Sequence, residues 1–254
     1  MLLAIDSGNT NIVFAVYEAH NKKAEWRSSS DAKRTSDEYG VWLANLMDRE
    51  ALSSEDITDV IIASVVPETL FSLKSLCRKY YKCEPLIIGD KTVEIGIGVL
   101  ASDVGADRLV NAAAAHLSYT GPLIVIDFGT ATTFDVVDSE GNYYGGVIAP
   151  GINLSLDALH MAAANLPRIA IQKPKNVIGK GTVTAMLSGI YWGYVGLIEG
   201  LITRIIEEFE TPMSVVATGG LAPLFSEATN MIEYLDTDLT MRGLSEIYYR
   251  NIQI

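Results

Sequence analysis

Two stretches of this sequence put an aspartate at the end of an apolar run and follow it with small turn-forming residues. The first is Leu2–Tyr17, LLAIDSGNTNIVFAVY, and the second is Leu123–Val137, LIVIDFGTATTFDVV. Asp6-Ser7-Gly8-Asn9-Thr10 and Asp127-Phe128-Gly129-Thr130-Ala131 share an Asp-x-Gly frame. A carboxylate at a strand end, beside backbone N–H groups and small hydroxyls, can hold a metal-chelated phosphate. The first turn lacks the Lys with which a Walker A loop meets phosphates. Alone, it reads more simply as a β-hairpin with an Asn-rich turn. The repetition points instead to a nucleotide site built from two related halves, with both carboxylates aimed at a shared cleft. A third group, Gly105-Ala106-Asp107-Arg108, sets an acid beside a guanidinium at a helix start. The macrodipole favours an Asp in a first helical turn, and an Arg there is an ordinary surface cation. The same pair also suits acid–base work on a substrate, and spacing alone leaves both readings open.

The elements that must position these groups follow from periodicity. Leu2–Ile5 is a nearly continuous apolar run, as in a strand buried on both faces. Ala24–Ser29 continues the opening hairpin. Thr35 and Glu38 form a capping box that starts a helix reaching about Glu50. Val60–Val66 reads as a buried strand, and Pro67 opens the next helix. Leu86–Ile88 is a short strand. Val93–Val104 has no clear period and reads as a connector or a loop near a site. The helix opened by Gly105 turns Leu109, Val110, Ala113 and Leu117 inward.

In the second half, Tyr143–Ile148 is a strand weakened by Gly145 and Gly146, and Pro150-Gly151 breaks it. His160 near the end of the next helix reads as a surface or capping histidine. Thr182–Phe209 is one long helix. Its Gly189, Gly193, Gly196 and Gly200 fall on a narrow stripe, and each costs about 1 kcal/mol relative to Ala. Close packing on another helix, within the chain or across a dimer, is the simplest offset. Met213–Gly220 adds a strand ending in Thr218, Gly219 and Gly220, and two further helices close the domain.

At 254 residues, the chain holds one large domain or two smaller ones. The expected division is 1–117 and 118–254. A net charge of −12 argues against nucleic-acid and anionic-membrane partners, which want basic patches. Cys77 and Cys83 fit neither a zinc spacing nor a disulfide framework. No basic leader precedes the first strand, and no apolar run reads as the ~18 residues of a membrane span. A soluble, cytoplasmic protein is expected.

Taken together, the paired Asp-x-Gly hairpins and the late Gly-Gly turn resemble the actin/Hsp70/sugar-kinase ATPase architecture. Asp6–Asn11, Gly105–Arg108, Asp127–Thr133 and Gly145–Gly151, with Ser64-Val65-Val66-Pro67 and Ala217–Gly220, closely resemble type III pantothenate kinase over essentially the whole chain. The resemblance implies an α/β fold of two related ribonuclease H-like domains, with mixed five-stranded sheets flanked by helices. It implies ATP-dependent phosphorylation of the primary hydroxyl of pantothenate, the first step toward coenzyme A. It implies that Asp6, Ser7, Gly8, Asn9, Thr10, Asn11 and Thr130 bind ATP and its Mg²⁺, with Asp6 also a metal ligand. It implies that Gly105, Ala106, Asp107, Arg108 and Thr182 bind pantothenate, with Asp107 as catalytic base. It implies a monovalent cation, K⁺ or NH4⁺, at Asp127, and a homodimer. One departure stands out. Ile95–Val104 looks short and has neither the aromatic residue nor the Pro found there in the family. That departure supports an alternative, a member with a degenerate substrate side acting as a nucleotide-dependent accessory or regulatory protein.

Overall fold

The computed structural model describes residues 1–162, 167 and 169–252. The chain forms two compact units. One comprises the residues up to Ala114 with those from Asp238 onward, and the other is Ala115–Thr237.

The first unit opens with β1 (Leu2–Ser7), β2 (Asn11–Glu18) and β3 (Asn21–Ser29), then α1 (Ser36–Arg49), β4 (Asp59–Ser64), α2 (Pro67–Leu76), β5 (Leu86–Ile87) and β6 (Gly98–Val99). Its sheet runs β3-β2-β1-β4-β5. β1 is antiparallel to β2 and parallel to β4, so the sheet is mixed. The unbroken apolar run of β1 has a direct cause, because both faces are covered. Leu3 and Ile5 pack with Tyr39 and Leu43 of α1 and Leu73 and Leu76 of α2. Leu2 and Ala4 pack on the opposite face with Val110 and Ala113. Those two residues belong to α3 (Ala106–Ser118), within which the chain leaves the first unit. α1 starts on the expected box: Thr35 Oγ1 accepts from Glu38 N–H at 3.3 Å, and Glu38 accepts from Thr35 N–H at 2.8 Å.

The second unit repeats the pattern with β7 (Leu123–Phe128), β8 (Ala131–Val137) and β9 (Asn142–Pro150). α4 (Ile152–Ala162), α5 (Thr182–Phe209), β10 (Ser214–Thr218), α6 (Ala222–Ser226) and β11 (Tyr234–Leu235) follow. Its strands run β11-β10-β7-β8-β9, with β7 antiparallel to β8 and parallel to β10. Ile124, Ile126 and Phe128 pack against Tyr191, Tyr194, Ile198 and Ile202 of α5. The fold is the expected α/β arrangement of two mixed sheets flanked by helices.

Four expectations need correction or narrowing. The final helix, α7 (Leu239–Ile252), packs in the first unit, through Met241, Leu244 and Ile247, rather than closing the second as a division at 117/118 implies. Leu117 is 51% exposed, because it lies in the last turn of α3, beyond the part that packs on the first sheet. α5 is, by length and composition, apolar enough to cross a membrane, contrary to the expectation that no run reaches that length. Much of that apolarity is the face packed on the second sheet. Finally, a Cβ built at Gly189, Gly193 or Gly196 meets nothing within 4 Å. Among the described residues, nothing of the chain therefore packs closely on the stripe at these three glycines, while a Cβ at Gly200 would lie 3.1 Å from the Arg204 guanidinium.

Candidate active site

In the first unit the site residues gather at the carboxyl ends of β1 and β4, where parallel strands commonly present ligand groups. Asp6 is half-buried near the end of β1, paired with Val13 on one side and Ala63 on the other. Strand alternation turns the next residue inward, and Ser7 is fully buried. Its Oγ lies 2.7 Å from Thr69 Oγ1, which donates to the Val66 carbonyl at 2.9 Å. The Ser7 hydroxyl is thus engaged inside the protein, and what Ser7 can offer a ligand is its main chain. Gly8 N–H closes the turn on the Asn11 carbonyl at 3.0 Å. Asn9, Thr10 and Asn11 are exposed.

Gly105–Arg108 opens α3 in the same unit. Asp107 Oδ1 folds back to accept from Arg108 N–H at 2.8 Å. Gly105 makes room for it, since a Cβ there would lie 2.7 Å from that oxygen and 3.3 Å from Val65 Cγ1. Val65 also donates its N–H to the Ser7 carbonyl at 3.1 Å. One residue therefore touches both the Asp6 hairpin and the start of α3. Burial pushes the Asp107 carboxyl above its ordinary value, offset in part by the Arg108 N–H and the Arg108 charge. Ala106 is buried, and Arg108 is half-buried.

In the second unit Asp127 is half-buried at the same register position, paired with Thr133 and Thr218. Phe128 is buried, Gly129 N–H bonds the Ala131 carbonyl at 3.1 Å, and Thr130 is exposed. Gly219 has φ +92°, and a Cβ there would lie 2.5 Å from Asp127 Oδ1 and 2.7 Å from Phe128 N. The carboxylate occupies the space that any other residue would need. A Cβ at Gly151 would strike the Thr130 carbonyl and lie 2.9 Å from that of Gly129. Thr182 is exposed in the first turn of α5, where Thr184 rather than Thr182 accepts from Gly181 N–H, at 3.1 Å.

The structure thus brings Asp6, Ser7, Gly105 and Asp107 to one strand-end cluster in the first unit. It brings Asp127, Thr130, Gly151 and Gly219 to another in the second. Among the described residues no group of three His, Cys, Asp or Glu converges as a metal cage.

The type III pantothenate kinase family model matches residues 2–204. The chain belongs to the type III pantothenate kinase family. A type III pantothenate kinase of Paramagnetospirillum magneticum is 66% identical over 254 residues, covering 99% of this chain and 98% of that protein. Two solved structures share the fold at low identity. A conserved putative Baf family transcriptional activator of Campylobacter jejuni has a TM-score of 0.64 at 17% identity, over 99% of this chain and 100% of that one. A putative 2-dehydro-3-deoxygalactonokinase of Sinorhizobium meliloti has 0.59 at 13%, over 98% and 99%. With this family in view, Val65 is the residue whose place the sequence left unread. Ser64-Val65-Val66-Pro67 was visible as a strand end, but its register beside Ser7 was not.

Proposed function

We propose that this chain transfers the γ-phosphoryl group of ATP to the primary hydroxyl of pantothenate. The geometry at Asp107 carries the reading: a carboxyl raised by burial, folded over Gly105 and linked through Val65 to the Asp6 hairpin. Phosphoryl transfer passes through a loose transition state, so positioning and charge neutralisation supply most of the catalysis. Asp107 orients the acceptor hydroxyl and takes its proton late in the step. Its raised pKa moves it toward the range useful for a base. Arg108 offers a planar fork for the pantothenate carboxylate. Gly105, Ala106 and Thr182 complete the acceptor contacts.

Asp6, the main chain of Ser7 and Gly8, the exposed Asn9, Thr10 and Asn11, and Thr130 hold ATP. Asp6 is the carboxylate suited to its Mg²⁺, which when bound neutralises charge on the phosphate oxygens. Asp127, pressed against Gly219, is the carboxylate for K⁺ or NH4⁺. The glycine stripe of α5 supports a homodimer, because Gly189, Gly193 and Gly196 meet nothing among the described residues and a partner helix would offset their cost. The accessory-protein alternative loses ground to a 66% identical relative, named for the kinase, that aligns end to end with this chain. A coupled assay of ADP release, with and without pantothenate, tests the proposal. Release that depends on pantothenate, with phosphopantothenate as product, is expected. Release indifferent to pantothenate would overturn it.

A further inference from the structure

α7 returns the chain to the first unit and is fastened there at several points. At its start, Lys22 Nζ donates to Asp238 at 2.5 Å. Thr240 Oγ1 then donates to Asn111 Oδ1 of α3 at 2.7 Å, and Asn111 is fully buried. Gly243 lies so close to α3 that a Cβ would sit 2.8 Å from Val110 Cγ1 and 2.9 Å from Ala114 Cβ. Near the end of α7, Asn251 binds the backbone of Glu94 twice. Its Oδ1 accepts from Glu94 N–H at 2.9 Å, and its Nδ2 donates to the Glu94 carbonyl at 2.9 Å. Gly96, at φ +85°, admits the Arg250 guanidinium, whose Nε would lie 2.6 Å from a Cβ there. Between these points Met241, Leu244, Ile247 and Tyr248 pack with Val110 and Ala113 of α3 and with Val93, Ile95 and Ile97.

The same helix therefore grips both pieces of chain that govern where Asp107 lies. One is α3, which carries it. The other is the irregular segment 93–97, which precedes β6 and lies upstream of Gly105. That segment has no helix or strand of its own to fix it, so its backbone is set by what it is bonded to. Reacting groups must be held to a few tenths of an ångström, and distant supports of this kind carry that requirement.

We infer that α7 is the positioning element of the acceptor side. Thr240 and Gly243 set the depth and rotation of α3, and Asn251 fixes the segment that precedes Gly105. The inference rests on the reading of Asp107 and Arg108 as acceptor-side groups. Three variants test it: Asn251→Ala, Thr240→Val and the conservative Thr240→Ser. The readouts are kcat, KM for pantothenate and for ATP measured separately, thermal midpoint, and amide hydrogen exchange over residues 94–108.

Asn251→Ala and Thr240→Val should raise the pantothenate KM or lower kcat about tenfold, with the ATP KM within about twofold of wild type. Thr240→Ser should restore wild-type values. A lowered midpoint with unchanged pantothenate KM and kcat would overturn the inference, and so would an ATP KM that rises in parallel. If Thr240→Val does not fold, Asn251→Ala, near the end of the helix, decides alone. A wild-type enzyme that turns over no pantothenate would sink the acceptor-side reading instead. Hydrogen exchange then judges the clamp: faster exchange at 94–108 in Asn251→Ala supports it, and unchanged exchange removes it.

Discussion

In the β1–β2 hairpin, the residue after the aspartate is Ser7, whose buried hydroxyl meets Thr69 at 2.7 Å. In the β7–β8 hairpin it is Phe128, stacked on Phe225 with ring centroids 5.4 Å apart. Alternation along a strand sends this middle residue into the core in both cases. It is an anchor, so its chemistry is free to differ as long as a matching neighbour waits for it. The flanking residues have less freedom. The aspartate must stand at the strand end, and the glycine must close the turn, on Asn11 in one hairpin and on Ala131 in the other. The turns differ in what they offer. Ser7 pairs with Ile12 and Phe128 with Thr132, so the first turn is one residue longer. It exposes Asn9, Thr10 and Asn11 where the second exposes Thr130. In the proposed function the longer, more polar turn takes the phosphates, and the tighter one, backed by Gly219, takes a single ion.

The two anchors should fail on different scales. Phe225→Ala removes the stack on Phe128 and contacts to Tyr191 and Tyr194, and should cost about 3–5 kcal/mol in chemical unfolding. A loss no larger than that from breaking the Ser7–Thr69 pair would end the distinction between an aromatic and a polar anchor.

Asp107 lies on neither hairpin, so the proposed function separates holding the nucleotide from activating the acceptor. Asp107→Asn should leave ATP affinity intact and lower kcat by about 10²-fold or more, the usual scale for losing general base catalysis. Asp6→Asn should instead weaken ATP binding. Because burial raises the Asp107 pKa, the acidic limb of the wild-type pH–rate profile should lie above the point where an unperturbed aspartate would place it. Turnover falls as pH drops through that limb, because the base becomes protonated. Stability has the opposite sign. A raised folded-state pKa gives stability that is full below the unfolded value and lost as pH rises through the folded one. Asp107→Asn should therefore abolish the limb and flatten this part of the stability profile. Near-wild-type turnover in Asp107→Asn would remove the residue from the base role.

Much of this arrangement was legible in the sequence. The hairpins, the Thr35 capping box and both ends of α5 follow from local signals: period, caps and turn residues. What local signals omit is the partner of each face. The amphipathic period of α7 says that one side is buried, but not that it is buried in the first unit, against residues of β1, β4 and α3. Likewise Ser7 reads as a phosphate-turn hydroxyl until Thr69, 62 positions on, is seen to occupy it. The glycine stripe was visible as a spacing, yet spacing cannot tell a packed stripe from an exposed one. Val93–Val104 read as a connector or a loop near a site, although Val93, Ile95 and Ile97 are partly buried against the first unit's core.

The polar anchor can be probed more gently than the aromatic one. Thr69→Val keeps the volume but leaves the buried Ser7 hydroxyl without that partner, at a cost of about 1–3 kcal/mol. Thr69→Ser should recover most of it. The double variant Ser7→Ala/Thr69→Val should be less damaging than the sum of its parts, since replacing both partners removes the stranded hydroxyl. Additive losses in a double-mutant cycle would show that the pair does not act as one anchor.

The smallest effect bears most directly on the division of labour between the turns. If Asp127 serves a monovalent ion and Asp6 serves the Mg²⁺ of ATP, replacing K⁺ by Na⁺ should lower turnover by less than about tenfold, under ~1.4 kcal/mol of barrier. The discrimination should disappear in Asp127→Asn, which keeps the side-chain shape against Gly219 but not the charge. It should survive in Asp6→Asn measured at saturating ATP, because that variant leaves the second turn untouched. Ion selectivity lost equally in both variants would mean that the hairpins share one electrostatic task. A flat response to monovalent ions in the wild type would discard the ion site at Asp127, leaving that carboxylate to brace the turn that carries Thr130.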